Sequence, residues 1–133
     1  MKQVVAGIII KNGNPKSYLL VSSNKDFWRF TGYYYPPAGH IEKGESETDA
    51  LKREIVEELW MNILEIEKIT DKIKSDVKNQ KTIWYLCKVD SFDYEINKEE
   101  LVDANFFTKQ QINKMKIWPA TKELFEKYIF NTD

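Results

Sequence analysis

Residues 39–60 read GHIEKGESETDALKREIVEELW, and the acids in that stretch decide how the rest of the chain is read. Ser46, with Asp49 three residues on, has the form of a helix N-cap with an acid in the first turn, and Leu51, Ile55 and Leu59 follow at helical spacing. The spacing predicts a helix that opens at Ser46 and ends near Trp60 to Asn62. At about 100° per residue, Glu54, Glu57 and Glu58 share one sector of that helix. Relative to Leu51, Ile55 and Leu59 fall at about +40° and +80°, while Glu58 and Glu54 fall at about −20° and −60°, so the acids border the apolar stripe. Each like-charged pair at these spacings costs roughly 0.2–0.5 kcal/mol even when wet, and partial burial raises that cost. Only Arg53, four residues before Glu57, opposes them at helical spacing. Two readings follow. One is a solvated Lys/Glu helix face. The other is an oxygen-only ligand set for a hard divalent ion, Mg²⁺ first, with Mn²⁺ or Ca²⁺ able to substitute.

The surrounding charge sharpens the contrast. Glu42 to Glu58 holds seven acids against three bases, in a chain of 133 residues whose formal net charge is only −1. The total therefore marks neither a polyanion nor a membrane surface as partner, and no stable nucleic-acid binding is expected. At 42% hydrophobic and 14% aromatic the chain can bury a core, and its length suits a single domain over residues 1–133. One Cys, Cys87, closes no internal disulfide and agrees with a reducing, cytoplasmic setting. One His and one Cys also speak against zinc. The longest apolar run, Val4 to Ile10, is far short of the roughly 20 residues of a membrane span, and it runs into a polar turn rather than a leader cleavage site. A monomer or homodimer is expected.

Outward from the acidic stretch, Val4–Ile10 and Tyr18–Val21 read as strands joined by the turn residues 11–15. Residues 22–46 read as a long irregular segment rich in aromatics, among them Phe27, Trp28, Phe30, Tyr33, Tyr34 and Tyr35. These rings either cover one end of the core or, Tyr35 included, form a stacking wall for a base. Beyond the helix, Ile63–Ile73, Lys81–Val89 and Ala104–Phe107 read as strands. Thr108 with Gln111 caps a short helix, and Thr121–Phe130 is an amphipathic terminal helix. Strands interspersed with helices predict an α/β (α+β) fold, a mixed β-sheet flanked by helices on both faces.

Read as a motif, Gly39, five residues, Glu45, seven residues, then Arg53-Glu54-Ile55-Val56-Glu57-Glu58-Leu59 resembles the signature of the Nudix hydrolases, G-x5-E-x7-R-E-U-x-E-E-x-G-U with U apolar. Six of its seven named polar or glycine positions are present. The stretches 35–45 and 100–107 also resemble the family, with its MutT-like members. The resemblance implies an α/β/α sandwich and a metal-dependent pyrophosphohydrolase. Its small-molecule substrate would be a nucleoside diphosphate linked to another group, such as a nucleoside triphosphate or dinucleoside polyphosphate. It also implies metal ligation by Glu54, Glu57 and Glu58 with Glu45 and the Gly39 carbonyl nearby, and Arg53 steadying the carboxylates. The general base is then Glu54 or a residue of a distal loop, where Glu100 is the candidate for base or distal ligand; its other reading is an ordinary surface acid. Pro36-Pro37-x-Gly39-His40-Ile41-Glu42 with residues 81–86 is similar to the diadenosine tetraphosphate hydrolase branch, although Ala38 stands where that branch usually has Lys. In such enzymes a lysine and a tyrosine of the later strand face substrate, which makes Lys81 and Tyr85 candidates; both are also ordinary strand residues. The alternative from another class is a non-catalytic Nudix-fold module that binds nucleotide or protein.

One position departs from the signature. Trp60 stands where the family has glycine, and a bulky residue takes a left-handed helix cap at a cost of about 1 kcal/mol or more. The expectation is a helix that runs on by a residue or two, with Asn62 supplying the turn.

Overall fold

The β-branched run at the start of the chain becomes the central strand of the sheet. In the computed structural model, which describes residues 1–132, β1 spans Lys2–Lys11 and is buried from Val4 to Ile9. It pairs in parallel with β5 (Gln80–Val89), and antiparallel with β2 (Ser17–Ser22) and β3 (Ala38–His40). β4 (Ile63–Thr70) lies antiparallel outside β5, and β6 (Asp103–Thr108) antiparallel outside β2. The order β4-β5-β1-β2-β6, with β3 against β1, is the expected mixed sheet.

The pleat sorts the two faces. Val5 and Ile9 of β1, Leu19 and Val21 of β2, and Ile83, Tyr85 and Cys87 of β5 pack under α1 (Glu47–Leu59), against Leu51, Ile55 and Leu59. The alternate residues Ala6, Ile8, Tyr18, Leu20 and Trp84 pack under the C-terminal helical segment, against Leu124, Phe125, Ile129 and Phe130. Full burial of Leu51, Ile55 and Leu59 is worth about 1.5–3 kcal/mol each and fixes the rotation of α1 on the sheet. That rotation carries Glu54 and Glu58 to the border of the core.

Ser46 caps α1 as its sequence suggests, its Oγ accepting from the Asp49 N–H at 3.1 Å. Thr108 and Gln111 form a capping box at α2 (Lys109–Ile112). The end of α1 corrects the sequence reading. The helix stops at Leu59, and Trp60 itself takes the left-handed conformation (φ 56°, ψ 32°), its N–H donating to the Val56 carbonyl at 2.9 Å. Asn62 does not make the turn. Met61 and Ile63 are both buried at the entry to β4, so the chain must reverse at once, and Trp60 tolerates the conformation with its ring 71% exposed in solvent.

Other boundaries differ as well, β4 stopping at Thr70 rather than Ile73. β3 is a strand inside the segment read as irregular, and the terminal helix begins at Pro119 rather than Thr121. Pro119 is preorganised for a first helical position; α3 runs Pro119–Leu124 and widens into a π turn over Phe125–Ile129. Among the described residues no helix is long and apolar enough to cross a membrane.

Candidate active site

A cavity of about 580 Å³ opens where α1 meets the β3 edge of the sheet. One wall comes from α1 and the neighbouring loops: Gly39, Arg53, Glu54, Glu57, Glu58 and Glu100. The other comes from β5, the segment before it and the start of α3: Asp76, Gln80, Thr82, Trp84, Trp118 and Thr121. Lys25, Phe27 and Tyr35 of the aromatic segment also line the cavity.

Arg53 organises the acidic wall. Its Nε and Nη2 donate to the two Glu45 oxygens at 2.7 and 3.0 Å. Its Nη1 donates to Glu54 at 2.9 Å and Glu57 at 3.3 Å, and Nη2 also reaches the His40 carbonyl at 3.1 Å. One guanidinium thus draws together Glu45 of the loop before α1 with Glu54 and Glu57 of the helix. The Arg53 hydrogen bond is the first cause that holds the Glu45 carboxyl below its ordinary range, and the same bond raises Arg53 further.

Glu54 and Glu58 behave differently because they are less wet. Burial pushes the Glu54 carboxyl up, against the lowering effect of Arg53. Glu58 is 7% exposed, and its carboxyl is pushed up to about 8, first by burial and then by Glu54 and Glu100. Its Oε2 is buried without a hydrogen-bond partner. Gly39 explains how Glu54 fits: a Cβ on Gly39 would lie 2.0 Å from the Glu54 carboxyl carbon. Only glycine lets that carboxylate lie against the β3 backbone.

These features fit a hard divalent ion by donor chemistry, since the set is all oxygen and one buried oxygen is left unpaired. Among the described residues, however, no three such groups are gathered into a finished metal cage. Arg53 occupies Glu54 and Glu57 instead, so the positive charge that relieves the repulsion in this structure is a guanidinium.

Of the remaining expected residues, Glu100 lines the cavity and pairs with Lys25 at 3.4 Å. Tyr35 also lines it, its hydroxyl pushed up by burial and by Glu58. The aromatic segment covers one end of the core and also lines the cavity. Phe27, Phe30 and Tyr35 cluster on Trp118 with centroids 5.4, 4.7 and 6.5 Å away, and Phe27, Tyr35 and Trp118 face the cavity. Lys81 and Tyr85 lie elsewhere. Tyr85 is buried beneath α1 with its hydroxyl bonded to Glu47, and Lys81 pairs with Asp71 at 3.5 Å. The pleat gives the cavity face of β5 to Gln80, Thr82 and Trp84. Sequence reasoning missed Lys25, Asp76, Thr82, Trp84 and Trp118. Alternation along β5 places Thr82 and Trp84 on one face together but does not say which face meets the cavity.

A family model of the NUDIX domain matches residues 1–128. Nudix hydrolase 7 of Arabidopsis thaliana is 25% identical over 127 residues, covering 92% of this chain and 45% of its own length, so the chain spans about half the length of that curated relative. Among solved structures, the NUDIX domain of Shewanella oneidensis NrtR complexed with ADP ribose superposes with a TM-score of 0.78 at 17% identity, covering 93% of this chain and 83% of that one. A MutT structure from work on Aliivibrio salmonicida and Vibrio cholerae superposes with a TM-score of 0.77 at 20% identity, with 98% of each chain covered.

Proposed function

Because this chain belongs to the Nudix family, we propose that it is a metal-dependent pyrophosphohydrolase that cleaves a phosphoanhydride bond in a nucleoside diphosphate linked to another group. The observation that carries this reading is the acidic wall: Glu54, Glu57 and Glu58 converge on one cavity with a buried Glu58 oxygen left unpaired. Glu54, Glu57 and Glu58 would hold Mg²⁺, with Mn²⁺ as substitute and with Glu45 and the Gly39 carbonyl beside them. Once bound, such an ion supplies charge neutralisation for the phosphates and a more acidic water.

The chain's own residues do the rest. Arg53 restrains Glu54 and Glu57, so that neither carboxylate swings into solvent. In hydrolysis a water oxygen bonds to phosphorus, the anhydride P–O bond breaks, and the water's proton passes to a carboxylate. Glu100 and Glu54 line the cavity and are the two acceptors for that proton; Lys25 orients Glu100. Phe27 and Tyr35 offer ring surface to the substrate. The buried, unpaired Cys87 supports a cytoplasmic setting.

The test is release of phosphate or pyrophosphate from a nucleotide panel in Mg²⁺. Wild type is expected to turn over at least one phosphoanhydride, and Glu57→Gln to lower kcat by orders of magnitude with an unchanged circular dichroism spectrum. Nucleotide binding without any turnover would favour the non-catalytic module.

A further inference from the structure

The wall of the cavity opposite the acids has accessible polar groups of its own. The indole N–H groups of Trp84 and Trp118 are buried, so what this wall offers a ligand comes from the segment before β5, where Ser75, Asp76 and Gln80 line the cavity. Gln80 Nε2 donates to Ser75 Oγ at 3.3 Å, which engages those two with each other. Asp76 is the one charged residue of this wall.

Asp76 is exposed and yet fixed in place. Its Oδ2 accepts the Ala120 N–H at 3.0 Å, two residues after Trp118, so the carboxylate is tied to the start of α3 and borders the aromatic cluster of Phe27, Tyr35 and Trp118. Among the described residues that is its one hydrogen bond, and it makes no ion pair. An ionised carboxylate has about four acceptor sites, so most of its capacity is left over. Arg29 acts on it without pairing and is not among the lining residues. Partial burial pushes the Asp76 carboxyl up, and a donor brought to its free oxygen would offset that cost.

The group that suits this place is a neutral N–H donor. A second phosphate would be repelled by Asp76, and this wall has no Lys or Arg to hold it. A carbonyl or ring nitrogen would set acceptor against acceptor. A flat heterocycle lying against the aromatic rings brings its edge to the carboxylate, and with it an exocyclic amino group, in a cavity within the size range of small-ligand sites.

We propose that Asp76 is a specificity-determining residue: its free carboxylate oxygen accepts from the exocyclic amino group of the substrate's base, so that adenine or cytosine is chosen over hypoxanthine or uracil. The proposal rests on the cavity being a nucleotide site, but its test is made on binding and not on turnover. Calorimetric titration of ADP against IDP, and of CDP against UDP, into the full chain with Mg²⁺ exchanges an amino group for a carbonyl within each pair. Wild type is expected to favour the amino member of at least one pair by about tenfold or more. Asp76→Asn keeps an oxygen for the Ala120 N–H and puts an amide N–H donor where the free oxygen was, so it should erase or reverse that preference while thermal melts stay close to wild type. The wild-type arm decides even where the variant fails to fold. Equal binding within both pairs, a loss seen only with 2′-deoxy-ADP, a preference that Asp76→Asn leaves unchanged, or no measurable binding of any of the four overturns the proposal. A chain that ranks the pairs, loses the ranking in Asp76→Asn and yet hydrolyses nothing would overturn the proposed reaction and leave the base reading standing.

Discussion

The two walls of the cavity are opposites in chemistry and in origin. The acidic wall is acceptor-rich, crowded with negative charge and drawn mostly from residues 39–58. The indole wall is donor-bearing and assembled from separate stretches of chain, 75–84 and 118–121. Each leaves buried polar atoms unpaired, an oxygen on one side and two N–H groups on the other. Unpaired buried groups of this kind cost stability wherever they lie, and the two walls carry that cost with groups of opposite character.

The acidic wall is most vulnerable at Gly39. Gly39→Ala places a methyl 2.0 Å from the Glu54 carboxyl carbon, so Glu54 must move while the strand stays paired. The expected result is a fall in kcat of about 100-fold with little change in base selectivity. Steady-state kinetics across a nucleotide panel checks it; full activity would show that Glu54 does not need its place against β3.

The next effect is on stability. Glu58 titrates at about 8 in the folded chain, above an unfolded carboxyl, so the native state holds the extra proton. Its contribution is fully present below the unfolded pKa and is lost as pH rises toward 8. Thermal melts in chelator should therefore decline between about pH 5 and pH 8 by several degrees. Saturating Mg²⁺ should flatten that decline, since a bound cation favours the ionised form. A melt independent of pH in chelator would contradict the burial assigned to Glu58.

Smaller effects come from residues outside both walls. Lys81→Ala is expected to leave KM within about twofold, because Lys81 faces Asp71 and not the cavity. Tyr85→Phe should cost about 1 kcal/mol of stability through the lost bond to Glu47 and leave kcat unchanged, as a denaturant melt and steady-state kinetics would show. The smallest is Trp60→Gly, expected to stabilise the chain by about 1 kcal/mol or less with unchanged kcat, since glycine adopts the left-handed cap freely.

The acidic wall was legible because helical spacing converts sequence into geometry without knowledge of the rest of the fold. Ser46, Leu51, Ile55 and the glutamates lie within 13 positions of one another, and the helix they predict is the helix observed except at its C-terminal end. β1, β2 and the Thr108–Gln111 cap were legible for the same local reason. The indole wall was not, because no local pattern joins Asp76, Trp84 and Trp118. β5 is buried on both faces over Thr82–Tyr85, so its alternation carries no polarity to say which parity meets the cavity. β3 escaped notice because Ala38-Gly39-His40 is too short to alternate. Trp60 was misread because the demand for an immediate turn comes from the burial of Met61 and Ile63, a tertiary requirement that overrides the residue's own preference.

Calorimetric titration of Mg²⁺ into the metal-free chain at pH 7, in two buffers of different ionisation enthalpy, decides whether the acids of α1 share a divalent cation. Saturable binding is expected, accompanied by proton release because burial pushes the Glu58 carboxyl up to about 8 and a bound ion favours its ionised form, and Glu57→Gln is expected to weaken it sharply. No heat of binding at millimolar Mg²⁺, or binding unchanged in Glu57→Gln, would contradict a shared cation and leave Arg53 as the only cation this wall was made to hold.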